Sequence, residues 1–200
     1  MLRYDSPQTA PMHPFVVVHS VFTKEECDRI IKIGSSKQLE KAQIGNGGVD
    51  NSVRQSNVRF IDPDDSDVDV RWLFDNLIEL GDSINDRSFQ YDLEFMPAPQ
   101  YAHYTEDNFH DWHMDILLGE HTTFPMVRKL SMSLLLSDKT DYEGGALEID
   151  RKPDGTACNI IKPDLGSAVL FPSWMTHRVN KVISGERHSL VVWYSVKKFK

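Results

Sequence analysis

The stretch HDWHMD at residues 110–115 places two histidines and two aspartates within six positions. His113 and Asp115 are one residue apart. On a strand, successive side chains alternate between faces, so an imidazole and a carboxylate at i and i+2 project the same way. Such a pair can take two adjacent corners of a metal ion, and a third ligand must then come from elsewhere. His177, in PSWMTHRVNKV at the head of a β-rich run, is the candidate. Two imidazoles and one carboxylate are the ligand set of non-haem Fe(II) oxygenases, which leaves metal positions open for cosubstrate and oxygen. Taken alone, H-x-D is a weak signal in a chain with 8 histidines and 30 acidic residues. A surface His–Asp pair is the alternative.

Arg187 lies ten residues after His177 and opens an apolar run, RHSLVVWYSV. A cation at the mouth of a buried strand needs a partner, because an unpaired buried charge is costly. Its planar fork suits one carboxylate. That carboxylate could belong to a dicarboxylate chelated to the metal at its other end, or to an internal Arg–Asp pair. The alternation that joins His113 to Asp115 puts His110, three residues away, on the opposite face. It also turns Trp112 and Met114 away into packing, and points His188 away from Arg187. His103 and His121 sit in no motif.

The elements that must carry these residues are mostly strands. FVVV (15–18) reads as a strand and SVRQSNVRFI (52–61) as another. After residue 88, FQYDLEF, QYAHY, KLSMSLLLS, ALEI, ACNIIKP, SAVLF, HRVNKVI and SLVVWYSV follow one another, separated by Pro and Gly turn signals. Many short strands at this spacing indicate a β-sandwich or barrel, and a jelly roll can hold a site between its sheets. Two helices precede them. Thr23 and Glu26 form a capping box and Gly34 a stop, with Cys27, Ile30, Ile31 and Gly34 on one face. VDVRWLFDNLIELGDSI places Val70, Leu73, Phe74, Leu77 and Ile84 on one face, and the acidic run at 62–67 reads as a solvated loop and helix start.

Composition narrows the function classes. The chain has 200 residues, 40% hydrophobic and 26% charged, with a formal net charge of −8. That suits one domain over 1–200, with helical support at about 22–86 and a β core at about 88–197. The negative charge disfavours nucleic acid and anionic membranes as partners. Two cysteines, Cys27 and Cys158, make no disulfide framework and read as buried thiols in a reducing compartment. The N-terminus lacks a signal-peptide apolar region and no run is long enough to span a membrane, so a cytoplasmic, soluble protein is expected.

HMD, LSMSLLLSDKTDYEGGALEI, GSAVLFPSWMTHRV and GERHSLVVWY together resemble the catalytic region of the Fe(II)- and 2-oxoglutarate-dependent dioxygenases, with closest similarity to the prolyl 4-hydroxylase-like and PKHD-type hydroxylases. The resemblance covers about residues 98–197 and extends loosely to HPFVVVHSVFTKEECDRII and VRQSNVRFI. It implies a double-stranded β-helix (jelly roll) buttressed by the two helices. It implies that His113, Asp115 and His177 bind Fe(II), and that Arg187 holds the far carboxylate of 2-oxoglutarate with Tyr104 assisting. It gives Asp111 no ligand role, and the intact Asp115 favours hydroxylation over halogenation. Arg54 and Ser56 match an element that faces the peptide in prolyl 4-hydroxylases, and Trp193 matches a site-lining tryptophan. A core aromatic is the alternative for Trp193. The implied cofactors are Fe(II), 2-oxoglutarate and O2, with ascorbate as reductant. The implied substrate is a proline-containing peptide or protein, with a free amino acid or small molecule as the alternative, ahead of nucleic-acid demethylation, which the acidic charge disfavours, and of a non-catalytic jelly-roll binding module, which the three ligands and Arg187 disfavour. The glycine-rich loop 45–52 and the long connection 116–129 are candidates to order over substrate as lids, with plain surface loops as the alternative.

Overall fold

The computed structural model describes residues 14–42, 50–64, 66–116 and 126–197. Its elements begin with strand β1 (Val16–Val18) and helix α1 (Lys24–Ser35), then β2 (Glu40–Lys41), β3 (Arg54–Gln55) and β4 (Asn57–Phe60). Helix α2 (Val68–Ile84) follows, and a π-helical turn, Asn85–Phe89, extends it. The rest is strand: β5 (Gln100–Tyr104), β6 (Phe109–His113), β7 (Met126–Leu135), β8 (Tyr142–Gly144), β9 (Leu147–Arg151), β10 (Ala157–Ile161), β11 (Ala168–Pro172), β12 (His177–Val179), β13 (Val182–Gly185) and β14 (Arg187–Lys197).

The strands form a larger sheet, β1-β11-β7-β14-β5-β4-β2, a smaller one, β10-β9-β12-β6-β3, and the pair β13-β8, with all pairings antiparallel. This is the double-stranded β-helix. Alternation along β7 and β14 explains its layering. Leu130, Met132, Leu134, Leu190, Val192 and Tyr194 share a core cluster with Cys27, Ile30, Leu73 and Leu77 of the helices. The intervening Ser133, Ser189, Val191 and Trp193 line a cavity on the other face. Each fully buried aliphatic side chain contributes roughly 1.5–3 kcal/mol, so the helices hold the sheet rigid from outside and leave its inner face free.

The capping box forms as expected: Thr23 Oγ1 accepts from the Glu26 N–H, and the Glu26 carboxylate accepts from the Thr23 N–H at 2.8 Å. Asp67 caps α2 by accepting from the Asp69 and Val70 N–H groups. Gly34 does not stop α1. It lies inside the helix, where an added Cβ would sit 2.3 Å from Tyr101 Cγ. Among the described residues, no helix is long and apolar enough to cross a membrane.

Several expectations need correction. FQYDLEF is not a strand: the π turn consumes its start, Gln90 takes a left-handed φ of 55°, and only Phe95 forms a bridge, to Ser195. SVRQSNVRFI is two strands in different sheets, with Ser56 at the crossing between β3 and β4. HRVNKVI likewise breaks into β12 and β13 at Asn180 and Lys181. Cys27 is buried but Cys158 is exposed, because β10 is an edge strand. Of the two expected lids, residues 45–49 and 117–125 lie outside the described residues, and Met126–Lys129 belong to β7 rather than to a loop.

Candidate metal centre

β6 and β12 are antiparallel neighbours, and their register makes His113 and His177 direct Cα partners. The chain leaves β6 after His113, and the Asp115 N–H donates to the Ser173 carbonyl. These anchors bring three donor groups together. His113 Nε2 lies 3.8 Å from Asp115 Oδ1, His177 Nε2 lies 3.5 Å from Asp115 Oδ2, and all three ligand atoms fall within 4.8 Å of one another. Asp115 and His177 are buried, and His113 is half-buried.

Each ligand is held by a partner of its own. His113 Nδ1 donates to the Asp111 carbonyl at 2.7 Å and His177 Nδ1 to the Met175 carbonyl at 3.1 Å. A carbonyl only accepts, so each ring proton sits on Nδ1 and each Nε2 turns a lone pair inward. Ser131 Oγ donates to Asp115 Oδ2 at 2.7 Å and also contacts Ser173 Oγ at 2.9 Å. Metal-ligating histidines and carboxylates are oriented in this way by outer partners. Burial and the neighbouring His177 push the His113 imidazole down to about 3, so it is neutral near pH 7. Burial opposes the charge on Asp115, but His177, His113, Arg128 and the Ser131 hydroxyl outweigh it and hold the carboxyl below its usual range. Two imidazoles and one carboxylate, each oriented, fit a divalent transition metal.

Arg187 and Tyr104 are Cα partners across β14 and β5. Both are about 2% exposed, and the guanidinium carbon lies 5.4 Å from the Tyr104 ring centroid. Arg187 Nη1 donates to Ser189 Oγ at 3.0 Å, while its Nε has no partner. Among the described residues no carboxylate pairs with it, which removes the internal Arg–Asp alternative there. Gly145, in the left-handed region at φ 58°, lets the hairpin approach: a Cβ there would lie 2.8 Å from Arg187 Cδ. A buried guanidinium with an idle donor fits an anion from outside the chain, such as one end of a dicarboxylate.

A cavity of about 730 Å³ opens on the metal centre and reaches Tyr104 and Ser189, the neighbours of Arg187, with Trp193 on its wall; Arg187 itself is not among its lining residues. Arg54 also lines it. Its Nε donates to Ser56 Oγ at 3.1 Å and its Nη2 to Gln100 Oε1 at 2.7 Å. Ser56 is therefore buried behind Arg54 and does not line the cavity itself. Trp193 shows a face to the cavity, with its Nε1 unpartnered, and packs 6.3 Å from Phe60.

Two cavity residues escape strict alternation. The pairings His177↔His113 and Val179↔His110 place two β12 steps against three on β6, so β6 carries a bulge. The bulge turns His110 back to the side of His113, and the two rings stack at 3.5 Å between centroids. His110 is thus a cavity residue, contrary to the alternation argument, and burial drives its imidazole strongly towards the neutral form. β7 bulges in the same way, with Tyr194↔Leu130 followed by Ser195↔Arg128. Arg128 thereby enters the cavity and lies 3.7 Å from the Trp193 ring centroid. Met114 is not turned into packing. It is 50% exposed and sits at the cavity mouth. Trp112 does face away, under the Arg178 guanidinium, and Asp111 is exposed and takes part only through its carbonyl.

Comparison with known proteins agrees with this geometry. Residues 99–195 match the family model of the 2OG-Fe(II) oxygenase superfamily. A PKHD-type hydroxylase of Alteromonas mediterranea is 35% identical over 97 residues, covering 48% of this chain and 42% of the relative. One from Pseudomonas fluorescens is 35% identical over 125 residues, covering 58% and 54%. The chain thus spans about half, or less, of these relatives' length. In fold it is similar to a Pseudomonas putida prolyl-4-hydroxylase (TM-score 0.70, 20% identity, 93% of this chain and 94% of that one). It is also similar to a Trichoplax adhaerens prolyl hydroxylase solved with a hypoxia inducible factor peptide fragment (TM-score 0.71, 18% identity, 90% and 83%). Over residues 99–195 the chain is thus similar in sequence to the 2OG-Fe(II) oxygenase superfamily and its PKHD-type hydroxylases, and its fold is that of the prolyl hydroxylases.

Proposed function

We propose that this chain is an Fe(II)- and 2-oxoglutarate-dependent hydroxylase acting on a proline-containing peptide or protein. The observation that carries the reading is the convergence of His113, Asp115 and His177 on one point of a cavity that also contains Tyr104 and runs beside Arg187. His113, Asp115 and His177 hold the metal. Arg187, backed by Ser189 and Tyr104, anchors the far carboxylate of 2-oxoglutarate. With these bound, Fe(II), 2-oxoglutarate and O2 supply C–H hydroxylation coupled to release of succinate and carbon dioxide.

The chain's own residues orient and enclose the reactants. The carbonyls of Asp111 and Met175 hold both Nδ1 atoms and so turn each Nε2 towards the metal, and Ser131 sets the Asp115 carboxylate. The cavity's breadth supports a substrate of peptide size, as does the likeness to a hydroxylase solved with a peptide. Arg54, fixed by Ser56 and Gln100, and Trp193, covered by Arg128, form the walls against which the peptide lies. The test is 2-oxoglutarate turnover against proline-containing peptides and free amino acids, with mass spectrometry of the products. A one-oxygen gain on a peptidyl proline is expected. Turnover stimulated by free proline but by no peptide would reassign the substrate to a small molecule.

A further inference from the structure

The reverse face of the cosubstrate-anchoring strand pair carries a second set of metal donors. His103 on β5 and His188 on β14 are direct Cα partners, and their rings stack at 4.5 Å with an interplanar angle of 12°. Glu186 precedes β14 with the same parity as His188, so its carboxylate reaches the same side. Glu186 Oε2 lies 3.0 Å from His103 Nε2 and 3.7 Å from His188 Nε2, and the three donor atoms fall within 4.8 Å of one another. Arg187, between Glu186 and His188, points to the opposite face, so this group is separate from the centre described above.

We propose that His103, Glu186 and His188 form a second divalent-metal site, of the zinc class. Two imidazoles and a carboxylate suit such an ion. Tetrahedral bonds of about 2.1 Å place neighbouring donors roughly 3.4 Å apart, and the two observed Glu–His separations bracket that value. His188 is already oriented to ligate: its Nδ1 lies 2.7 Å from the buried Tyr101 hydroxyl, which leaves Nε2 for a metal. The contact between His103 Nε2 and the Glu186 carboxylate requires a proton on Nε2. A bound ion takes that proton's place, and the proton leaves to solvent. Asp141 adds a further negative charge within range of His188, and exposed Glu186 leaves the fourth position open to water. An ion here pins β5 to β14 immediately behind Tyr104 and Arg187.

The second site stands apart from the assigned reaction, because counting ions rather than turnover detects it. Metal-free protein is titrated with Zn(II) and bound ion measured by equilibrium dialysis. The wild type should bind two per chain. The variant His113→Ala/His177→Ala should keep one, and that one should raise its melting temperature. Adding Glu186→Gln to this variant should weaken the retained ion at least tenfold. Glu186 is exposed, so Glu186→Gln removes a ligand without disturbing the fold. No ion retained in His113→Ala/His177→Ala, or a retained ion indifferent to Glu186→Gln, would overturn the proposal, whereas a single wild-type ion that survives in His113→Ala/His177→Ala would count against the first centre only.

Discussion

Replacing Ser131 with alanine probes whether the metal centre depends on the groups behind its ligands. Ser131 is fully buried, and its hydroxyl donates to Asp115 Oδ2 at 2.7 Å. A hydrogen bond to an ionised carboxylate is worth about 1.5–3 kcal/mol. At about 1.4 kcal/mol per tenfold, this corresponds to roughly 10- to 100-fold in affinity. The bond also exists before metal binds, so the full value is an upper bound. What the metal loses is orientation, since a freed Asp115 can turn towards His113 or His177. Loss of such outer partners typically weakens metal binding by about 10- to 100-fold. Titration calorimetry with Mn(II), a redox-inert stand-in for Fe(II), reads the effect. Ser189→Ala is the control. It removes a comparable hydroxyl from Arg187, and should weaken 2-oxoglutarate while leaving Mn(II) untouched. A Ser131→Ala Kd within twofold of wild type, or an equal shift in Ser189→Ala, would refute the reasoning.

Three further outcomes follow from the packing and the charges. Gly34→Ala drives a methyl into the Tyr101 ring at 2.3 Å; overpacking of this kind costs about 1–3 kcal/mol, read as a lower melting temperature, and an unchanged value would contradict the close approach. His113 stays neutral down to about 3 in the folded chain, whereas an unfolded histidine protonates near 6.5. The unfolded state therefore binds more protons between those values, so the metal-free protein should lose stability as pH falls below about 6.5, by roughly 1 kcal/mol for His113 at pH 5.5. Denaturant midpoints that coincide at pH 7 and pH 5.5 would refute this. Cys158 is exposed while Cys27 is buried with its thiol pushed up to about 11 by burial, so a thiol reagent should label one cysteine in the native protein and both in denaturant. Labelling of Cys27 without unfolding would contradict its burial.

The H-x-D pair, the distal His177 and the buried Arg187 are legible because donor spacing and the cost of a lone buried charge depend on local sequence, although Asp115 lies beyond the end of β6 and is placed beside His113 by its backbone bond to Ser173 rather than by strand alternation. The helices are legible for the same reason: α2 occupies Val68–Ile84, the stretch its apolar periodicity marks. What stays hidden depends on pairing between strands. His110 and Arg128 enter the cavity because β6 and β7 each carry one residue more than the strand they face, and an extra residue reverses the parity that a sequence reading assumes. The break at Ser56 is hidden likewise, since β3 and β4 alternate as one strand but pair with different sheets. Gly34 reads as a helix stop by type, and only the approach of Tyr101 shows why the residue must be small. Ser131, Ser173 and Ser189 could have been suspected as small polar residues on the inner face of apolar strands, a placement that needs a polar partner.

In the proposed reaction His113, Asp115 and His177 hold Fe(II) while Arg187 holds the other end of 2-oxoglutarate. Anaerobic titration of the purified chain with Fe(II) and 2-oxoglutarate tests this arrangement most directly, by following the weak visible charge-transfer band of the chelated cosubstrate. The wild type should show the band, His113→Ala should lose it, and Arg187→Gln should require higher 2-oxoglutarate. No band in the wild type, or a band unchanged in His113→Ala, would contradict the arrangement.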